Sequence, residues 1–297
     1  IEILQFASVE ELGEIIRNSE YVHKHIDLIK SLPLVDIEAI KKAKFRIAVD
    51  CINSVGAISV PLLLRELGVD EVYELNSIPN GDFAHNPEPL PENLIDISNL
   101  VIEKKADLGF VVDPDVDRLA IVNRDGTMFG EEYTLVAVAD YVLSKKTGNT
   151  VSNLSSSRAL KDVTENYGGK YYTAAVGELN VVEKMKEVDA IVGGEGNGGV
   201  IYPPLHYGRD ALVGIALFLS HLAKSKVKTT ELRAKYPDYQ MVKAKKNIEG
   251  LDVDNILKKV KNSFKDLNPT TIDGVKVDFP EGWVHLRKSN TEPIIRI

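Results

Sequence analysis

Three carboxylates follow a short apolar run at alternate positions, in residues 109–118 (GFVVDPDVDR). The apolar run predicts the end of a buried strand. Pro114 ends the strand because proline cannot donate to a sheet ladder. Asp113, Asp115 and Asp117 would repel one another there unless a cation offset their charge, and oxygen ligands suit Mg²⁺. The pattern therefore predicts a magnesium site, with a solvated acidic turn as the simpler alternative.

Two familiar acidic loops match this segment poorly. An EF-hand loop that began at Asp113 would need Gly and Glu where the chain has Arg118 and Arg124. The loop of haloacid dehalogenase-type phosphatases resembles the segment in its first two aspartates, but it has Thr or Val where this chain has Asp117. Three carboxylates followed by an arginine are better suited to holding a metal ion beside a phosphate.

A second candidate site is the glycine-rich segment 193–199 (GGEGNGG). It contains the G-x-G-x-x-G spacing of dinucleotide-binding proteins, which requires a helix directly afterwards. Pro203 and Pro204 follow too soon for that helix, so we reject this interpretation. Glycines let backbone approach a ligand closely, and Glu195 and Asn197 offer acceptors and a donor for sugar hydroxyls. A glycine-rich hinge is the alternative.

A third candidate site is the cationic segment 286–293 (LRKSNTEP), which lies between two apparent strands. Cations, hydroxyls and a carboxamide in one turn are typical of a phosphate site. The predicted phosphate ligands are Arg287, Ser289, Asn290 and Thr291. A capped polar turn is the alternative. Together, the three segments predict binding sites for a metal ion, a polyol and a phosphate. A phosphorylated sugar is a ligand that would account for all three sites.

Composition narrows the function classes. The 297 residues are 44% hydrophobic and carry a net charge of −8, so the chain can bury a large core and would repel nucleic acid and membrane surfaces. We expect neither partner. No stretch approaches the ~18 apolar residues of a membrane span. The single cysteine, Cys51, fits a reducing compartment, and no signal-peptide pattern opens the sequence, so we expect a cytoplasmic protein.

Strands alternate with helices over most of the chain, which predicts an α/β fold. We expect two consecutive α/β domains with mixed, mainly parallel sheets, followed by a truncated α+β C-terminal domain. The predicted divisions are 1–35 (end of a preceding domain and a linker helix), 36–132 (acidic segment), 133–238 (glycine-rich segment) and 239–297 (cationic segment). Within them we expect a helix over 9–31 and a hairpin that joins 119–122 to 127–129.

These motifs resemble the α-D-phosphohexomutases, the family of phosphomannomutase, phosphoglucomutase and phosphoglucosamine mutase. Residues 113–118 are similar to its magnesium loop, 195–198 to its sugar-hydroxyl loop and 287–293 to its distal phosphate loop. Residues 207–210 (YGRD) match a further stretch of its third domain. Asn197 departs from the family, where many members have Ser, so the hydroxyl contacts stay open. The resemblance implies four domains around one cleft.

The resemblance also implies an activity and roles. A phosphoserine donates its phosphate to a sugar phosphate, and the hexose 1,6-bisphosphate intermediate reorients and returns the other phosphate. Mg²⁺ is the implied cofactor and small sugar phosphates are the implied partners. Arg118 would contact the transferred phosphate, and the residues of the cationic segment would hold the other one. Arg209, His206 and His85 are further candidates.

The reactive serine of the family, in a Thr-Ala-Ser-His-Asn-Pro-like segment, has no match here. Residues 84–87 (AHNP) resemble that segment superficially, but they precede Asp113 closely and are more similar to a stretch of the family's second domain. We therefore interpret the chain as the end of domain 1, domains 2 and 3, and a truncated domain 4, inactive by itself. His85 either approaches the ligand or caps its own loop.

Two other functions stay open from the sequence. One is a Mg²⁺-dependent sugar-phosphate phosphatase, and the other is a non-catalytic sugar-phosphate binding protein. The motifs also leave the sugar open, because mannose, glucose and glucosamine phosphates differ at C2 and none of the predicted site residues reads that position.

Overall fold

The computed structural model describes residues 7–289 and 292–297, and its first sheet carries the acidic segment. The strand order is β2-β1-β3-β4, with β1 parallel to both neighbours and β4 antiparallel to β3. The elements of this acidic-loop domain are α1 (Glu20–Ser31), α2 (Ile37–Ala43), β1 (Arg46–Asp50), α3 (Gly56–Glu66), β2 (Glu71–Leu75), α4 (Ile95–Glu103), β3 (Leu108–Val112) and β4 (Leu119–Asn123).

A second sheet repeats this arrangement in the glycine-loop domain. Its order is β6-β5-β7-β8, again with three parallel strands and one antiparallel edge strand. The elements are α5 (Tyr133–Leu143), β5 (Asn149–Asn153), α6 (Ala159–Asn166), β6 (Tyr171–Ala174), α7 (Glu178–Glu187), β7 (Ala190–Glu195), β8 (Gly199–Ile201), α8 (Ala211–Ser225) and α9 (Thr229–Arg233).

The C-terminal domain is an antiparallel sheet with one helix. Its strand order is β10-β11-β12-β9. The elements are β9 (Lys245–Asn247), α10 (Val253–Ser263), β10 (Val275–Phe279), β11 (Gly282–Lys288) and β12 (Ile294–Arg296). Two mainly parallel α/β sheets followed by a smaller α+β unit confirm the predicted fold class.

Helix α8 joins the first two domains. It buries eleven of its 15 residues and packs against α1, α2 and α3 on one side and α5 on the other. Phe218 of α8 meets Phe110 of β3 edge-on at 6.2 Å and Phe129 at 5.3 Å between ring centroids. The two domains therefore share one continuous apolar core, whereas the C-terminal domain has its own small cluster of Ile248, Val253 and Ile295.

The structure corrects the prediction of one helix over residues 9–31. Only a 3₁₀ turn at Val9–Glu11 and helix α1 form there. Leu12, Ile15 and Ile16, whose spacing suggested a helix, are 65%, 91% and 84% exposed. Because an amphipathic helix is stabilised mainly by packing of its apolar face, spacing alone does not produce one here.

The predicted hairpin is present in a short form. Val122 and Met128 form an antiparallel bridge, and Phe129 N donates to Ile121 O (2.9 Å). The hydrogen bond from Asn123 N to Thr127 O (2.7 Å) closes the predicted turn. The other edge of β4 pairs with β3, so β4 has antiparallel neighbours on both sides.

Within the described part of the chain, no helix combines the length and the apolar character that crossing a bilayer requires.

Candidate active site

The acidic loop (residues 113–118) folds back on its first carboxylate. Asp113 Oδ1 accepts hydrogen bonds from the backbone N–H of Asp117 (3.1 Å) and of Arg118 (3.0 Å). Val116 has φ of 62°, which turns the chain sharply between them. Carboxylate oxygens of Asp113, Asp115 and Asp117 consequently lie within 4.8 Å of one another, and their role as metal ligands stays a prediction.

The donor set of this loop fits a divalent cation. Asp117 Oδ1 is buried and has no hydrogen-bond partner. Burial and the negative charge of Asp113 raise the pKa of Asp117 to about 7. A buried oxygen without a donor, among two other carboxylates, is the arrangement that a hard cation such as Mg²⁺ would stabilise. Arg118 lies at the rim, with Nε 3.3 Å from Asp113 Oδ2.

Arg209 connects the acidic loop to the glycine loop (residues 193–199). One of its terminal nitrogens donates to Asp117 Oδ2, and the other donates to Glu195 Oε2 at 2.7 Å. Its backbone N–H donates to Glu178 Oε1 at 2.7 Å. Arg209 is only 14% exposed in its side chain, so its charge acts in a partly dehydrated environment. The predicted metal and sugar sites thereby lie on opposite sides of one guanidinium.

Glu195 ends strand β7 and is fixed from several sides. Its Oε1 accepts from Asn153 Nδ2 (2.8 Å) and from the backbone N–H of Gly177 (3.2 Å). The chain then turns into the antiparallel strand β8, not into a helix, which confirms the rejection of the dinucleotide interpretation. The side-chain oxygen of Asn197 accepts a hydrogen bond from the backbone N–H of Gly199 (3.2 Å). Its role toward sugar hydroxyls stays a prediction.

The two loops touch through backbone at Gly198. Its carbonyl accepts from Leu119 N at 3.1 Å, and a Cβ at this position would lie 2.5 Å from Leu119 O. The φ of 87° at Gly198 also favours glycine. Glycine at position 198 is therefore explained by the close approach of Leu119, the first residue after the acidic loop, in addition to any ligand.

Glu132 lies against the glycine loop, and no pattern in the sequence indicated this residue. Both of its oxygens accept from Ser157 N (2.9 and 2.8 Å). A Cβ on Gly196 would lie 2.5 Å from Glu132 Oε1. Burial raises the pKa of Glu132 to about 7. Glu178 and Asn153 were missed for the same reason, since each is a single polar residue on an otherwise ordinary element.

The cationic loop (residues 286–293) is only partly described. Asn290 and Thr291, two of the predicted phosphate ligands, lie outside the described residues. Ser289 is buried; its N–H donates to Ile294 O (2.9 Å) and its hydroxyl accepts from Glu292 N (3.3 Å). These bonds join the end of β11 to the start of β12.

Arg287 lies on the strand face that meets the glycine-loop domain. His285, two residues earlier and thus on the same face of β11, has Nδ1 3.0 Å from Ser155 Oγ. Lys276 on the neighbouring strand donates to Leu154 O at 2.8 Å. Both contacts are made at the end of β5, where Asn153 holds Glu195.

A second contact between these two domains adjoins Glu195 directly. Val176 N donates to Asp273 Oδ2 of the C-terminal domain (3.0 Å), while the next N–H, of Gly177, donates to Glu195. Arg158 adds bonds to the backbone carbonyls of Phe279 (2.6 Å) and Gly282 (2.7 Å). The C-terminal domain is therefore docked beside the glycine loop.

The remaining two candidates contact other groups. His85 Nε2 lies 3.1 Å from Asp50 Oδ2 and its Nδ1 2.8 Å from Asn86 O. Burial alone would lower the pKa of His85, but these hydrogen bonds outweigh it and raise the pKa. The contacts are those of a residue that ties down its own loop. His206 lies 3.0 Å from Asp210, next to Arg209 but apart from the three aspartates.

Comparison with known proteins identifies the class. Family models of phosphoglucomutase/phosphomannomutase match the chain in succession: alpha/beta/alpha domain II at residues 23–126, alpha/beta/alpha domain III at 130–239 and the C-terminal domain at 226–297. The chain belongs to this family, the α-D-phosphohexomutases, as its motifs predicted.

The most informative relatives have different sugars in their names. "Phosphoglucomutase/phosphomannomutase" of Thermococcus kodakarensis is 38% identical over 98% of this chain and 64% of its own length. "Phosphoglucosamine/phosphogalactosamine mutase" of Sulfurisphaera tokodaii is 35% identical over 96% of this chain and 63% of its own length. This chain therefore spans a little under two thirds of these relatives.

A solved structure gives the same assignment. The phosphoglucomutase/phosphomannomutase family protein of Burkholderia thailandensis superimposes with a TM-score of 0.75 at 28% identity, over 88% of this chain and 58% of that chain.

Proposed function

We propose that the chain forms the metal-, sugar- and phosphate-binding part of a phosphohexomutase, which interconverts hexose 1-phosphate and hexose 6-phosphate. The observation that carries the proposal is the double contact of Arg209 with Asp117 and Glu195. This contact supports the proposal because it links one candidate metal ligand and the candidate sugar ligand through a single cation. A phosphorylated sugar whose hydroxyls reach Glu195 would have a phosphate close to the acidic loop.

Charge assigns a role to each part of the proposed site. A Mg²⁺ ion held by Asp113, Asp115 and Asp117 would offset the charge on the transferred phosphoryl group. Arg118 would contact the oxygens of that group from the rim. Arg209 is also held by Glu178, and Glu195 is also held by Asn153. Both side chains are therefore already oriented before a ligand binds.

The non-reacting phosphate is assigned to the cationic loop. Arg287 provides a permanent cation with a planar donor set, which suits phosphate. In the bisphosphate intermediate the two phosphates lie at opposite ends of the sugar. A metal-bound end and an arginine-bound end, with Glu195 between them at the hydroxyls, would accept the intermediate in either orientation. We assign the reactive serine to polypeptide outside these 297 residues.

Turnover by the protein that includes the reactive serine tests the activity. We would supply Mg²⁺, a catalytic amount of hexose 1,6-bisphosphate, and mannose, glucose or glucosamine 1-phosphate, and follow the products by ³¹P NMR. We expect the 6-phosphate to form without inorganic phosphate. Release of inorganic phosphate alone would instead identify a phosphatase, and saturable binding without any product would identify a binding protein.

Binding to the present chain tests the residue assignments separately. We expect calorimetry with hexose 6-phosphates to give saturable binding in the presence of Mg²⁺. Glu195→Gln and Arg287→Met should each weaken it at least about tenfold, since each removes a charged hydrogen bond to the ligand. Glu183→Gln, at an exposed position on α7, and Arg124→Met, at an exposed turn position, are the matched controls. Equal binding by all five proteins would contradict the assignments.

A further inference from the structure

A second group of metal-ligating side chains lies apart from the three aspartates. It consists of His25 on α1, His206 in the turn after β8, and Asp210, the N-cap residue of α8. The Nε2 atoms of His25 and His206 lie 2.7 Å and 3.0 Å from the same oxygen, Asp210 Oδ2. The three ligand atoms lie within 4.8 Å of one another. Elements far apart in sequence thus converge on one carboxylate oxygen.

The carboxylate is oriented by the helix that it caps. Asp210 Oδ1 accepts from Val213 N at 3.0 Å, so Oδ2 is directed toward the two imidazoles. Asp210 is buried, whereas the side chains of His25 and His206 are 32% and 43% exposed. The carboxylate is therefore fixed, whereas the two imidazoles can adjust. Their exposed side leaves room for water molecules as further ligands of a metal ion.

Two imidazole nitrogens and one carboxylate oxygen form a donor set with its own metal preference. Mg²⁺ prefers oxygen ligands, whereas imidazole suits Zn²⁺ and its neighbours in the first transition row. Zinc bound by three such ligands at about 2.1 Å keeps the ligand atoms roughly 3.3 Å apart. The observed spacings of 2.7 and 3.0 Å need only small outward rotations of two partly exposed rings.

We propose that His25, His206 and Asp210 bind a zinc-class transition-metal ion, with water completing the coordination. The ion fastens α1 to the start of α8. Because Arg209 directly precedes Asp210, the same ion steadies the turn that directs Arg209 toward Asp117 and Glu195. The site is a structural clamp, and it is chemically distinct from the carboxylate site proposed for Mg²⁺.

The test titrates the chain with Zn²⁺ by calorimetry in millimolar Mg²⁺, which occupies oxygen-only sites. Co²⁺ in a parallel titration gives visible absorption bands that distinguish four-coordinate nitrogen-containing sites from six-coordinate oxygen sites. We expect one equivalent of tight binding, weakened at least about tenfold in His25→Gln and in His206→Gln. His23→Gln, at an exposed position on the same helix, should bind as the unmodified chain does.

Thermal unfolding provides a second measurement. Zn²⁺ should raise the midpoint of the unmodified chain and of His23→Gln, but not that of His25→Gln. The proposal is overturned if binding is not saturable, if His25→Gln binds equally well, or if the Co²⁺ spectrum is that of an oxygen-only site. None of these results bears on the mutase proposal, whose tests use sugar phosphates together with Glu195 and Arg287.

Discussion

The guanidinium of Arg209 donates to the carboxylate of Asp117, which is 92 residues earlier in the chain. Together with Glu195 and Glu178, Asp117 forms a ring of negative charge around one cation. The arginine therefore does two things at once. It holds two loops from different domains together, and it offsets carboxylates that are partly removed from water.

Arg209→Met should consequently destabilise the fold. Removing one partner leaves buried carboxylates without a counter-charge, which costs about 2–4 kcal/mol in the free energy of unfolding, as measured by urea denaturation. Mg²⁺ should restore more stability to this variant than to the unmodified chain, because the ion offsets part of the same charge. Arg124→Met, in an exposed turn, is the control. An Arg209→Met protein as stable as the control would rule out this role.

Asp113→Asn should weaken Mg²⁺ binding at least about tenfold by calorimetry, because it removes one charged ligand. The asparagine oxygen can still accept from the backbone N–H groups of Asp117 and Arg118, so the loop should keep its shape. Asp96→Asn, at an exposed position on α4, should bind Mg²⁺ normally. Unchanged affinity in Asp113→Asn would remove this residue from the metal site.

Gly198→Ala should be more damaging than Gly168→Ala, although both glycines have positive φ, 87° and 73°. The added methyl group would lie 2.5 Å from Leu119 O in the first case and meets no atom within 4 Å in the second. Strain is common to both, so the clash alone should make Gly198→Ala less stable by about 1–3 kcal/mol in denaturant unfolding. Equal losses would mean that the two loops separate easily.

Glu132→Gln should stabilise the protein in a pH-dependent way. Burial raises the pKa of Glu132 from 4.5 to about 7, so the folded state holds a proton that the unfolded state releases between these values. The free energy of unfolding therefore falls as pH rises through this range. Glutamine carries no charge and so avoids the cost of burying a carboxylate, and the variant should gain about 3 kcal/mol relative to the unmodified chain from pH 4.5 to pH 8. A difference that does not change with pH would contradict the assigned burial.

The sequence predicted the acidic loop well and Arg209 weakly, for a physical reason. Alternating carboxylates after an apolar strand are a local pattern, and the backbone geometry of a strand end determines where they point. Arg209 depends on partners in two other loops, and such long-range pairing leaves no mark in the neighbouring residues. It was a lesser candidate from the sequence, yet its contacts organise the site.

The same contrast applies to the fold. The alternating strands and long helices were predicted because their apolar periods extend over several residues. Helices α2 and α9, with seven and five residues, are too short to display a full period, and the packing of α2 against α8 decides its conformation. Residues 12–19 show the converse, because their spacing suggested a helix that packing did not provide.

The position of Phe218 between Phe110 and Phe129 limits how this protein can be divided or recombined. Exchanging the acidic-loop domain for that of a distant relative would disturb this three-ring contact and uncover the apolar side of α8. Heating should melt both α/β domains in a single transition, because neither retains a complete interior without the other. Successful chimaeras should be those that transfer residues 20–238 as one block, because α1 packs against α3 and α8.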